Sequence, residues 1–152
     1  MKRVLTISLL GAMISGCLNT IPGPEARDMS GKFDGDWMLT VTIDHETQQS
    51  ARYEFTCPKR QFLLPSKIKD GFLTFSAGPL GNFEGIVEPN GDLHLRQEIG
   101  EFRSSDTPND RADLVLQGTL SENKGEGIYI HAIHETDMGC KGRLTAQRTD
   151  SA

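Results

Sequence analysis

Apolar and polar residues alternate with a period of two through most of this chain, and that alternation constrains its fold more than any other feature. In "GDWMLTVTID" (35–44), Trp37, Leu39, Val41 and Ile43 fall on one face, and Met38, Thr40 and Thr42 on the other. Successive side chains of a strand point to opposite faces, so the pattern predicts a half-buried strand. Further strands are predicted at "ARYEFTC" (51–57), at "DGFLTFS" (70–76) behind its turn signal, at "NFEGIVE" (82–88) and at "DLHLRQE" (92–98). "ADLVLQGTL" (112–120), "GIYIHAIHE" (127–135) and "GRLTAQR" (142–148) complete the set. The "PNG" between residues 88 and 92 is a strong hairpin signal. "FLLPSKI" (62–68) is weakened as a strand by Pro65, which lacks an N–H for the ladder.

No run carries a helical period, and the 16 glycines suit tight turns. Gly inside 82–88 and 112–120 suggests bends or bulges. A long open meander would expose its edges, whereas closure removes them. The expected fold is therefore all-β: one small antiparallel up-and-down β-barrel of about eight strands. A two-sheet β-sandwich is the alternative. Between the strands, "GEFRSSDTPNDR" (100–111) is the longest polar break, read either as a binding loop at the barrel rim or as disorder.

Ahead of the first strand, Lys2 and Arg3 precede an apolar run of 11 residues, "VLTISLLGAMI" (4–14). At about 1.5 Å per residue this run spans roughly 17 Å, too short for a hydrocarbon core of roughly 30 Å. It is the pattern of a signal peptide. Ile14, Ser15, Gly16 and Cys17 then resemble the lipobox of bacterial lipoproteins. The resemblance implies cleavage after Gly16, lipidation of Cys17 on sulfur and acylation of the new amine. Several acyl chains, at about 0.8 kcal/mol per buried CH₂, anchor firmly where one would not. In enteric-type lipoproteins an Asp after the cysteine retains the protein at the inner membrane. Leu18 stands there in this chain, which implies the outer membrane; the expected location is the periplasmic side, although the residues do not state which leaflet the domain faces. The expected organisation is a signal peptide at 1–16, a lipidated N-terminus and flexible tether at 17–32, a barrel at 33–148 and a tail at 149–152.

Cleavage leaves 136 of the 152 residues, enough for one domain with one core. Loss of Lys2 and Arg3 leaves 14 basic against 21 acidic side chains, a net charge of −7. An acidic domain without a basic cluster is a poor match for nucleic acid or for an anionic membrane surface. In an oxidising compartment, Cys57 and Cys140 are expected to form a disulfide, and closing so long a loop contributes about 4–5 kcal/mol by the chain-entropy argument. Strand parity raises a difficulty. If 51–57 is the second strand and 142–148 the eighth, the two cysteines lie at opposite barrel ends. Either 62–68 adds a strand or a loop folds over.

Gly35-Asp36-Trp37 at the start of the first strand is similar to the G-x-W signature of lipocalins and their avidin-like relatives. In those barrels a basic residue from the last strand packs on the tryptophan, which implies a structural Trp37–Arg148 pair stabilised by cation–π attraction. The resemblance covers the two ends of the barrel and transfers no ligand residue.

Catalytic signals are sparse. His131 and His134 are the weak metal candidates, with Glu135 and Asp137 after them. On a strand, 131 and 134 point to opposite faces, and their spacing misses the helical H-E-x-x-H pattern. They are read as half-exposed histidines, and His45 and His94 as solvent-facing. Asp34, Asp36, Asp44, Glu54, Glu84, Glu98 and Glu101 are read as a solvated acidic surface. G-x-S-x-G, P-loop and dinucleotide fingerprints are absent from the sequence. No metal, cofactor or catalytic residue is expected. The expected function is a membrane-anchored, non-catalytic binding module, holding a small apolar ligand in the barrel or a protein partner at its rim. A periplasmic protease inhibitor and a structural envelope protein are the alternatives.

Overall fold

The computed structural model describes residues 22–47, 60–104, 107–134 and 139–149. Eight antiparallel strands follow one another around a closed barrel: β1 (Gly35–Thr47), β2 (Gln61–Lys69), β3 (Phe72–Ser76), β4 (Asn82–Val87), β5 (Asp92–Ser104), β6 (Thr107–Leu120), β7 (Lys124–Ile133) and β8 (Gly139–Arg148). β8 returns to pair with β1 from Trp37↔Arg148 to Thr47↔Gly139, which closes the wall. The up-and-down barrel expected from the alternation is the observed fold. The strand expected at 51–57 lies outside the described residues.

The hairpins follow from local sequence. Asp70 and Gly71 both adopt positive φ, 51° and 73°, the two-residue turn whose twist matches the flanking strands. Glu88–Gly91 forms a tighter-looking but longer connection. The Gly91 N–H donates to Glu88 C=O at 2.8 Å, and Gly91 itself sits at φ 95°. This is a type I turn followed by a left-handed residue, the three-residue hairpin solution. A Cβ on Gly91 would also run into the Leu120 carbonyl oxygen, so only glycine lets this turn lie against the end of β6.

One alternative is settled and one expectation is corrected. Pro65 does not prevent 61–69 from forming a strand. β2 pairs with β1 from Gln61 to Ile68, but with β3 only from Ser66 onward. Pro65 therefore stands where β2 has a neighbour on one side only, a position that tolerates a missing N–H. Residues 100–111 are not a loop or a disordered break. Apart from 105–106, which lie outside the described residues, their backbone belongs to β5 and β6, with Phe102↔Asp110 and Ser104↔Thr107 in register and irregularities at 99–102 and 102–104.

The core lies inside the barrel. Trp37, Leu39 and Val41 of β1 meet Leu64 and Ile68 of β2, Leu73 and Phe75 of β3, and Phe83 and Val87 of β4. Leu93, Leu95, Leu114, Leu116, Tyr129 and Leu144 fill the other half. Burying each such aliphatic side chain contributes about 1.5–3 kcal/mol.

The two barrel ends differ. At one end, where β1 begins and β8 finishes, the preceding chain folds across the mouth. Phe33 is fully buried there. The Trp37 indole N–H donates to Phe33 C=O at 2.9 Å, and the Asp28 N–H donates to Val87 C=O at 2.7 Å. The Arg27 guanidinium lies over the Phe72 ring, 4.7 Å from its centroid. Asp28 is buried; burial would raise its carboxyl, but bonds from the Ser30 hydroxyl and backbone N–H outweigh this and hold it below its ordinary value. From Arg27 onward, the segment expected as a tether thus packs on the barrel. At the other end, β1 and β5–β8 extend well past the short β3–β4 hairpin.

Candidate functional site

The unequal strand lengths open the wall on one side. β4 pairs with β5 only at Ile86↔His94 and Val87↔Leu93. Leu95 packs directly over Gly85, and beyond that point the strands part. Asn82–Glu84 therefore have no ladder partner on the β5 side. Gln97 bridges the opening, its Nε2 donating to Asn82 C=O at 3.3 Å. A cleft of about 710 Å³ results, lined by Thr74, Phe75, Ser76, Asn82, Phe83, Glu84 and Gln97. Its floor is the stacked pair Phe75–Phe83, with centroids 5.2 Å apart. Inside the barrel, Phe62 of β2 meets Tyr129 of β7 edge-on at 5.5 Å. Burial pushes the Tyr129 hydroxyl up to about 12, so it stays neutral throughout the physiological range. The cleft offers neutral amides and hydroxyls, one carboxylate and unpaired backbone over a floor of two buried rings. That combination suits contact with a polypeptide and supplies no nucleophile–base pair.

The described inward-facing side chains leave no comparable space among themselves. Among the described inward-facing side chains of the strands, only Phe62, Gln97 and Arg148 are more than marginally accessible; Gln97 lines the cleft and Arg148 ends β8 at the plugged mouth. The remainder are at most 8 % exposed. A ligand-sized hollow would leave its lining accessible, so these side chains enclose none.

The structure separates the two candidate metal ligands. His131 faces inward on β7 and is buried, 5 % exposed, which corrects its reading as half-exposed. Burial lowers its pKa. His134 stands on the outer surface beyond the end of β7, its Nε2 3.0 Å from Asp113 Oδ1. The Arg96 guanidinium donates to the other Asp113 oxygen at 2.6 and 3.0 Å. Burial would raise the Asp113 carboxyl, but bonds from His134 and Arg96 outweigh it and hold it low. Among the described residues, no three His, Cys, Asp or Glu side chains converge as a metal site.

The other carboxylates are dispersed. Asp44 pairs with Arg143 at 2.9 Å, Glu98 with Arg111 at 3.4 Å, and Asp34 accepts the Asp70 N–H at 3.0 Å. Asp36 and Glu84 are exposed. His94 is only partly exposed and lies 3.1 Å from Glu88, rather than facing solvent alone. His45 lies in β1. Glu54 lies outside the described residues, and Glu101 lies in β5.

Trp37 and Arg148 are brought together as register partners in the β1–β8 ladder. The Arg148 guanidinium donates to the carbonyls of Lys32, Asp34 and Glu122, tying the plugging segment and the β6–β7 turn to the last strand. Cys140 is fully buried at the start of β8, whereas Cys17 and Cys57 lie outside the described residues. The cleft was not legible in the sequence. Its one local trace is Gly85, which lets Leu95 cross β4 before the strands diverge. No family model, no curated protein and no solved structure matches this chain.

Proposed function

We propose that this chain is a bacterial envelope lipoprotein, anchored through lipid on Cys17 after removal of residues 1–16, whose barrel binds a protein partner without catalysis. The observation that carries the reading is the filled interior. A carrier of small apolar molecules needs a hollow, and the described inward-facing side chains leave none that could hold such a ligand. The open β4–β5 side instead offers unpaired backbone above an aromatic floor. Inhibition of a periplasmic protease is one form of this activity, and a structural envelope role is another.

A Cys57–Cys140 disulfide belongs to the same proposal. Glu46 is the register partner of Cys140, so the connection from β1 to β2, which contains Cys57, leaves from the barrel end where β8 begins. With 61–69 as the second strand, the parity difficulty disappears. The Trp37–Arg148 juxtaposition supports a lipocalin- or avidin-like way of sealing the barrel end. Outer-membrane residence rests on Leu18 following the lipidated cysteine.

Native mass spectrometry of the protein released gently from its own envelope tests the reading, together with a photo-crosslinker placed at Glu84 or, as control, at Thr145 on the far wall. The expected result is no bound small molecule and a discrete protein adduct from position 84 but not 145. A retained apolar molecule lost on denaturation, or equal adducts from both positions, would overturn it.

A further inference from the structure

We infer that the gap between β4 and β5 takes an extended segment of the partner polypeptide as an added strand, with a basic side chain of that segment set against Glu84. The inference rests on the protein-binding reading above and names the form that the contact takes.

Hydrogen-bond parity decides which backbone groups face the gap. The Val87 N–H donates to Gly71 C=O at 2.9 Å and the Ala77 N–H to Gly81 C=O at 3.0 Å, so the odd residues of β4 bond toward β3. Its even residues turn the other way: the Glu88 N–H donates to Asp92 C=O at 2.8 Å, and Ile86 pairs with His94. The next even residues, Glu84 and Asn82, aim their backbone groups at β5 and find no ladder partner there. On the other side of the gap, the Leu120 N–H donates to Gly91 C=O at 2.7 Å, which sets the odd residues of β5 toward β6. Arg96 and Glu98 therefore aim their backbone groups at β4, past the last rung at His94. Facing rows of donors and acceptors at alternate residues are what an extended backbone satisfies.

The Gln97 side chain already makes one of the bonds that such a strand would make. Its Nε2 donates to Asn82 C=O at 3.3 Å, long for an N–H to carbonyl bond. A side-chain amide thus stands where a backbone N–H would, held by a bond that an incoming strand improves on. The cleft, about 710 Å³, exceeds the roughly 480 Å³ that three residues of strand occupy at ordinary strand and sheet spacings.

Charge selects the segment. Glu84 is exposed and lines the cleft, and among the described residues it has no ion-pair partner. Glu98 and Asp113 on the neighbouring strands, by contrast, hold Arg111 and Arg96. A lysine or arginine opposite Glu84 on the added strand completes a cross-strand pair of opposite charge. A second copy of this chain is the poorer occupant, since each copy carries 21 acidic against 16 basic side chains and the two repel.

Amide hydrogen exchange by NMR reads the added strand directly. The full-length, isotopically labelled protein in detergent micelles is titrated to millimolar concentration with a short capped peptide of alternating threonine and lysine, and with the same peptide N-methylated at alternate backbone nitrogens. The unmethylated peptide should slow exchange at Glu84 and Arg96 about tenfold, and the methylated one should leave both unchanged. Leu63 is the control for indiscriminate edge pairing. The Ile43 N–H donates to Arg60 C=O at 2.7 Å, so Leu63 turns its N–H away from β1, where β3 pairs with β2 only from Ser66 onward. Its exchange should not change. Glu84→Gln should weaken peptide binding about threefold, and Gln97→Ala, which frees the Asn82 carbonyl, should tighten it about threefold. Equal protection at Leu63, binding indifferent to N-methylation, or protection that grows with protein concentration in the absence of peptide overturns the inference. A protein adduct from the crosslinker at position 84 together with unprotected Glu84 and Arg96 amides overturns the added strand and leaves the protein-binding reading standing. Absence of both overturns the two together.

Discussion

Replacing Leu116 by Ala tests whether the barrel is filled, the point on which the proposed function turns. Leu116 lies mid-strand in β6 and is 0 % exposed. Its register partners, Leu95 on β5 and Tyr129 on β7, are each only 2 % exposed. β6 is hydrogen-bonded on both sides, so the wall cannot collapse inward to fill the space. Leu116→Ala therefore loses the transfer free energy of the side chain together with a cavity term, about 3–5 kcal/mol. For a domain of this size that lowers Tm by roughly 10 °C or more. The cavity is apolar and closed, the kind that stays dry and admits benzene. Benzene at about 100 times its Kd should restore about 2.7 kcal/mol to the variant and leave wild-type Tm unchanged. Urea unfolding and thermal melts with and without benzene measure both effects. A wild-type protein that benzene stabilises, or a variant that loses less than about 1 kcal/mol, would mean that the interior already holds usable space, and the argument against a carrier would fail.

Two further substitutions probe other parts of the construction. Gly91→Ala forces a side chain into φ 95° and against the Leu120 carbonyl, breaking the Leu120 N–H bond to Gly91 C=O; a loss of about 2–4 kcal/mol in urea unfolding is expected, and a loss below about 0.5 would refute the packing of that turn on β6. Asp113 has a carboxyl held below its ordinary value, so the unfolded chain takes up that proton first as pH falls. Its contribution is complete above the unfolded carboxyl value near 4 and is lost as pH drops through the lower folded value. Asp113→Asn should cost about 1–3 kcal/mol at pH 7 and flatten the acid limb of a stability–pH curve, whereas parallel curves would show that the Arg96–Asp113–His134 cluster contributes nothing.

Much of the barrel was legible because its signals are local. Alternation over 35–44 or 112–120 involves neighbours two residues apart, and the Asp70-Gly71 and Pro89-Asn90-Gly91 turns state their own backbone geometry. Residues 100–111 misled for the same reason. They extend β5 and β6 past the length of the short β3–β4 hairpin, and their pairing is irregular at 99–102 and 102–104, so the local pattern does not mark them as strand. Pro65 misled because its tolerance depends on where β3 stops, a fact written elsewhere in the chain.

By itself the sequence determined the strand type, the hairpin turns and the net acidic charge. The first two depend on residues adjacent or nearly so, and the third on composition alone. The tertiary structure decided what depends on distant residues meeting. It turned His131 inward and His134 outward, set Trp37 beside Arg148 across the closing seam, and folded residues 27–34 over one mouth. It also decided the two features that bear on function. Whether a barrel is hollow depends on whether side chains from all eight strands sum to the volume they enclose, and no segment carries that total. The cleft exists because β3 and β4 are shorter than β5, a mismatch that appears only when the strands stand side by side.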